Sequence, residues 1–386
     1  MKKLSQLALG IRPSLTREFF NEAKNYDDVI DFTLGDPDIQ TPEEIKKAGC
    51  EAINNNKTRY SQNAGLLELR KQIACYSAAK EGLDYKAESE VFVAVGAMEG
   101  IFLALFSILN PGDEVIIPAP YYINYKQIVE LCRAIPVIVT GDDDLVCSEN
   151  VIKESITSRT KAIILNTPNN PSGKVYSFDF LKHIADLVIT NDLYVITDEV
   201  YKCLVYDNKP RPKSIATIKG MKERTVYVNS LSKEFCMTGW RLGYCLGPES
   251  IISAIIKLQE NVAACAPLPS QYAAIEALRL DKNYSSAMIS IFSRRRNVLF
   301  SELSKSSVLK PILPEATFYM LVDIRASGMK SIDFSYTLLR EAHVAVVPGI
   351  AYGDVCDNYI RIAFTIDENK IREGVQRIIN FTESFL

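Results

Sequence analysis

Between about residues 90 and 230, short apolar runs alternate with longer stretches in which apolar positions recur every three or four residues. VFVAV (91–95) reads as a buried strand because no polar residue interrupts it, and GAMEGIFLALFSIL (96–109) as the helix that follows. Pro111-Gly112-Asp113 makes a turn into EVIIP (114–118), and Tyr121–Cys132 reads as a helix. Further strands are predicted at PVIVT (136–140), KAIILN (161–166), YVITDE (194–199) and TVYVN (225–229), with a helix over Ser177–Ile189. Parallel neighbours need a crossover connection, so this alternation implies a mostly parallel sheet with helices on both faces. Ligands in such sheets sit beyond the carboxyl ends of the strands.

The pattern changes after Pro267–Pro269. A helical stretch over about 270–300 leads to a strand at Phe318–Asp323, a helix at Asp333–Ala342 and strands at Val344–Val347 and Tyr359–Phe364. We expect a large domain over 46–285. A smaller α+β domain would join the N-terminal segment 1–45 to residues 286–386.

Composition narrows the function classes. With 47% hydrophobic and 24% charged residues the 386-residue chain is an ordinary globular protein, and a net charge of −3 gives no reason to expect nucleic acid or an anionic membrane as partner. Arg294-Arg295-Arg296 reads as a solvated or ion-paired helix face. The nine cysteines are scattered and never spaced C-x-x-C, which argues for reduced thiols in a cytoplasmic protein and against a zinc site. Only His183 and His343 are present, both in helix-like stretches without a nucleophile motif, so they read as structural and no metal site is expected. Ser5, Gln6, Gly10 and Arg12 interrupt the N-terminus, which argues against a signal peptide, and no apolar run is long enough to span a bilayer.

The unusual residues gather at strand ends. SLSKEFCMTGWRLGY (230–244) places Lys233 after a strand, flanked by Ser230 and Ser232, with Arg241 eight residues on. An exposed lysine is a poor nucleophile at neutral pH, whereas burial or a neighbouring cation lowers its pKa. Two hydroxyls and an arginine beside it would satisfy a phosphate dianion. Asp198 and Tyr201 lie in DEVY (198–201), Asn170 in the turn TPNNPSGKV (167–175), and Ala97 and Met98 at the start of a helix in VGAMEG (95–100). Taken alone, the aspartate could be a helix cap and Asn-Pro-Ser-Gly merely a turn. No G-x-x-x-x-G-K-[ST] or G-x-G-x-x-G stands in the chain to support a P-loop or nicotinamide site.

In this order and over about residues 30–365, these segments resemble the class I/II aminotransferases, pyridoxal 5′-phosphate (PLP) enzymes of fold type I, of the aspartate/aromatic kind. The resemblance implies a large domain with a mostly parallel seven-stranded sheet between helices, and a smaller α+β domain. It implies that Lys233 holds PLP covalently, that Asp198 faces the pyridine nitrogen, and that Tyr201 and Asn170 face the 3-oxygen. Ser230, Ser232, Arg241 and the amides of Ala97 and Met98 would hold the phosphate, and Tyr122, rather than its neighbour Tyr121, would stack on the ring. Arg361, in VPGIAYGDVCDNYIRIAFT (347–365), would grip the substrate carboxylate, with Gly35 of LGDPD (34–38) and Asn170 beside it. Tyr60 would reach the phosphate of a partner's cofactor, so the implied assembly is a homodimer with shared sites.

The implied activity is ping-pong transfer of an amino group from an aspartate-, aromatic- or alanine-like amino acid to a 2-oxo acid such as 2-oxoglutarate. A cysteine or cystathionine β-lyase would keep the equivalents of Lys233, Asp198 and Arg361 and is the alternative. Met98 stands where some aspartate-using relatives carry lysine. Ser14 and Thr16, in RPSLTREFF (12–20), are candidates to bind a side-chain carboxylate; Arg17 reads as a solvated helix start or an alternative cation.

Overall fold

In the computed structural model, residues 2–141, 145–280 and 282–383 are described. Seven strands form the central sheet, in the order Val91–Ala94, Gly243–Leu246, Thr225–Ser230, Tyr194–Asp198, Thr160–Asn166, Glu114–Ala119, Ile135–Thr140. Only Gly243–Leu246 runs antiparallel to its neighbours. The sheet is seven-stranded and mostly parallel, the α/β arrangement that the resemblance implies. The strands carry apolar residues on both faces, which explains their uninterrupted runs. Ile163, Leu165 and Val195 join a core with the helix Phe178–Thr190, while Ile164, Ile196, Val226 and Val228 face the core on the other side. That helix buries Leu181, Ile184, Ala185 and Val188 at helical spacing, and Ser177 caps it by accepting the Phe180 amide at 3.1 Å.

A four-stranded antiparallel sheet follows the order Val347–Pro348, Tyr359–Ala363, Tyr319–Asp323, Lys310–Pro311. The helices Lys282–Leu303, Ser331–Ala342 and Glu368–Glu383 accompany it, and Phe292, Leu338 and Ile378 share its core with Phe318 and Ile360. Ile30–Asp31 pairs in parallel with Val344–Ala345, which brings the N-terminal segment against this unit. There Phe19 and Ala23 pack on Leu339.

Four local expectations are revised. The helix expected at Tyr121–Cys132 covers only Asn124–Leu131, because the chain first turns after Pro120, with the Tyr125 amide bonded to the Tyr122 carbonyl at 3.0 Å. The expected 270–300 helix is two, Leu268–Arg279 and Lys282–Leu303, separated at Leu280 by extended backbone (ψ 143°). Val344–Val347 is two short strands belonging to different sheets. His343 does not lie within a helix; at φ 52° it ends Ser331–Ala342. The triple arginine is an ion-paired face: Arg294 meets Glu368, Arg295 grips Asp38 through two bonds of 2.7 and 2.9 Å, and Arg296 grips Asp207. Among the described residues no helix is long and apolar enough to cross a membrane, and no group of three or more His, Cys, Asp and Glu could hold a metal.

Candidate active site

Parallel strands end on the same side of a sheet. Asn166, Asp198 and Ser230 each close one of them, and the turn after Ala119 brings Tyr122 alongside. They surround a cavity of about 590 Å³ that Gly35, Ala97, Met98, Tyr122, Asn170, Tyr201, Ser232, Lys233, Arg241 and Arg361 also line. Every residue singled out in the sequence therefore reaches this cavity except Tyr60, which is 88% exposed. Tyr121 faces away and packs in the sheet core, leaving Tyr122 as the aromatic of the cavity. A larger open groove of about 900 Å³ beside the helix Lys282–Leu303 holds none of these residues.

At one end lies a cradle for an anion. The Ser230 and Ser232 hydroxyls are 2.8 Å apart, and Ser230 also accepts the Ser232 amide at 3.1 Å. Ala97 and Met98 begin the helix Ala97–Ile108, where amides have no intrahelical acceptor. Gly96 precedes them at φ 80°, and a Cβ there would fall 2.4 Å from an Arg241 guanidinium nitrogen. The positive φ favours glycine there, and a side chain would also push the Arg241 guanidinium aside. No carboxylate pairs with Arg241 among the described residues.

At the floor, Asp198 is buried and accepts the Tyr125 hydroxyl at 2.6 Å and the Val200 amide at 3.3 Å. Burial pushes its carboxyl up to about 6, against the pull of those two bonds. A buried carboxylate held this way favours a cationic partner in the cavity. Lys233 donates to the Gly35 carbonyl at 2.6 Å. Burial lowers its pKa to about 8, opposed by Asp36 and assisted by Arg241 and Arg361. Near neutral pH such an amine is available as nucleophile or base.

Across the cavity stands Arg361, 2% exposed. It donates to Asn170 Oδ1 at 3.2 Å and to the Thr33 carbonyl, while its Nε has no partner. No carboxylate meets it among the described residues, so a buried guanidinium awaits an anion. Asn169 staples the walls together, donating to the Pro120 carbonyl at 3.0 Å and accepting from Ser172. Ser14, Thr16 and Arg17 close the mouth. Arg17 is thus more than a solvated helix start, although its side chain remains exposed.

These residues fit PLP, with a phosphate cradle, an amine, an acid for the ring nitrogen and an aromatic wall within one cavity. Asn166, Tyr125 and Tyr319 are among the cavity residues missed in the sequence. Asn166 was signalled, since it ends a predicted strand and holds the Asn170 amide at 2.9 Å. Tyr125 had a weaker signal, one helical turn beyond Tyr122, and its role depends on Asp198 being there. Tyr319 had none, because FYMLV reads as plain core.

Residues 27–378 match the family described as aminotransferase class I and II. A probable N-acetyl-LL-diaminopimelate aminotransferase of Bacillus subtilis is 38% identical over 377 residues, covering 97% of this chain and 94% of its own. An aspartate aminotransferase of Pyrococcus abyssi is 37% identical over 372 residues, 95% of each chain. The crystal structure of an aromatic aminotransferase from Pyrococcus horikoshii OT3 superposes with a TM-score of 0.89 at 37% identity, covering 95% of this chain and 99% of that one.

Proposed function

The chain belongs to the class I and II aminotransferase family, and we propose that its amino donor carries a second carboxylate, as aspartate and glutamate do. Amino-acid transamination with PLP is the family's activity and this chain's; the β-lyase alternative is not favoured. Bound in the cavity, PLP supplies an aldehyde for the lysine amine and a ring that accepts the electron pair of the substrate's α-carbon.

The protein's own residues would do the rest. Arg361 binds the α-carboxylate through its planar fork, with Gly35 and Asn170 beside it, and so fixes the direction of the α-C–H bond. Lys233, with its pKa near 8, takes that proton and returns it. Asp198 would keep a proton on the ring nitrogen, and Tyr201 and Asn170 would donate to the 3-oxygen. Ser230, Ser232, Arg241 and the amides of Ala97 and Met98 would anchor the phosphate, and Tyr122 would cover the ring face. Tyr60, exposed on the single chain, would complete the site of a second copy, so the working unit is a homodimer. The cysteine usage supports a cytosolic setting.

The observation carrying this reading is Arg361: a buried cation without a carboxylate, in one cavity with an amine of lowered pKa. The side-chain preference rests on Arg17, which lines the mouth with Ser14 and Thr16 and meets no carboxylate among the described residues. The test is a panel of amino donors with 2-oxoglutarate or oxaloacetate, for wild type and Arg17→Met. Dicarboxylic donors should lead. Arg17→Met should lower their kcat/KM about tenfold, roughly 1.4 kcal/mol, while sparing phenylalanine. Phenylalanine outrunning aspartate in the wild type would replace this reading with an aromatic one.

A further inference from the structure

Tyr319 touches three parts of the cavity at once. Its hydroxyl lies 3.0 Å from that of Tyr201, and the Arg361 guanidinium carbon sits 4.2 Å from its ring centroid. Its hydroxyl also presses on Gly35, where a Cβ would stand 1.7 Å from the phenol oxygen. The carbonyl of Gly35 in turn receives Lys233. At 3% exposure the phenol is withdrawn from bulk solvent, although it lines the cavity.

We infer that Tyr319 is a positioning residue that couples occupancy of Arg361 by a carboxylate to the hydrogen-bond strength of Tyr201 toward the cofactor. This rests on the reading of Arg361 and Tyr201 given above. A cation over the ring draws electron density from the phenol oxygen and makes its O–H a better donor. Tyr319 then donates to Tyr201, which frees the Tyr201 proton for the 3-oxygen of PLP. A carboxylate on Arg361 cancels that charge, both donors weaken, and the proton held between Lys233 Nζ and the 3-oxygen leaves at a higher pH.

The ionisable groups facing the phenol pair come from every wall. They are Arg361 and Tyr352 from the small sheet and its preceding turn, Tyr122 from the Pro120 turn, Tyr125 from the helix Asn124–Leu131, and Asp36 from the N-terminal segment. Lys233 joins them through Gly35. Arg361 also reaches Asn170 at 3.2 Å, a second route for the same signal, so removing Tyr319 should diminish the coupling without abolishing it.

The experiment is a pH titration of the visible absorbance of the PLP-loaded protein, alone and saturated with succinate or 3-phenylpropanoate, two unreactive carboxylates. Wild type should show a midpoint that rises on saturation. In Tyr319→Phe, which keeps the ring under Arg361, the rise should shrink by about twofold or more, and the pH dependence of ligand affinity should shrink with it. Adding Tyr319→Phe to Tyr201→Phe should have no further effect on the rise, because the route is already cut. An undiminished rise in Tyr319→Phe, or an equal further loss in the double variant, overturns the coupling. A wild-type protein with no visible band, or no response to either carboxylate, overturns the reading of the site itself and the coupling with it.

Discussion

Replacing Tyr125 with phenylalanine removes one oxygen and keeps the ring that meets Tyr122 edge-on at 5.5 Å. That oxygen donates to Asp198 at 2.6 Å, with both residues buried. A hydrogen bond to a charged acceptor contributes about 1.5–3 kcal/mol, which is roughly one to two pH units of carboxylate pKa. From about 6, Asp198 in the Tyr125→Phe apoprotein should move to roughly 7–8. Because the folded value already lies above the unfolded one, the folded state holds the extra proton and apoprotein stability falls as pH rises from about 4 to 6. In the variant the fall continues to roughly 7–8. Urea unfolding of both apoproteins should therefore show a stability gap that widens by about 1.5–3 kcal/mol between pH 5 and pH 9. A gap of constant size across that range would mean that Tyr125 does not support the ionised form of Asp198.

Lys233→Ala should still bind PLP through the cradle, but turnover should drop by roughly a thousandfold or more, read by steady-state transamination. Arg361→Lys retains charge and loses the fork. The KM of the amino donor should rise by about tenfold or more, whereas the affinity for PLP, measured by fluorescence titration, should stay within about twofold. Away from the cavity, Lys202 is 1% exposed and bridges Glu81 at 2.6 Å and Glu199 at 2.7 Å. Lys202→Met leaves those carboxylates facing each other in the core and should lower unfolding stability by about 3–5 kcal/mol in urea. A loss below about 1 kcal/mol would show that Arg211, which already meets Glu81, and the Thr197 and Ser214 hydroxyls on Glu199 suffice to hold the two acids.

The ionic cluster around Lys202 shows where sequence reading stopped. Glu81, Glu199, Lys202, Arg211 and Glu234 are ordinary charges in the chain, and nothing in their spacing says that they meet. In the fold, Arg211 joins Glu81 at 3.0 Å and also meets Glu234, the residue after Lys233. The turn bearing Lys233 is thereby tied to the helix Leu67–Glu81. The strand Gly243–Leu246 escaped for a different reason. It is four residues long and antiparallel, so neither length nor strand–helix alternation marks it.

The chain alone determined the features that depend on local pattern. Uninterrupted β-branched runs marked the parallel strands, since strands buried on both faces have no polar side to show. Lys233, Asp198 and Asn170 stood out because they follow such runs, at the sheet edge where ligands collect. Tertiary structure decided what depends on distance between segments far apart in the chain. It turned Tyr122 rather than Tyr121 into the cavity, gave Asp198 its donor from Tyr125, and set Tyr319 between Arg361 and Tyr201. The physical reason is range: apolar periodicity reports which face of an element is buried, but a pKa or a hydrogen bond is set by whichever group arrives within a few ångströms. In this pocket those groups lie up to 328 positions away in sequence, as Arg361 does from Thr33.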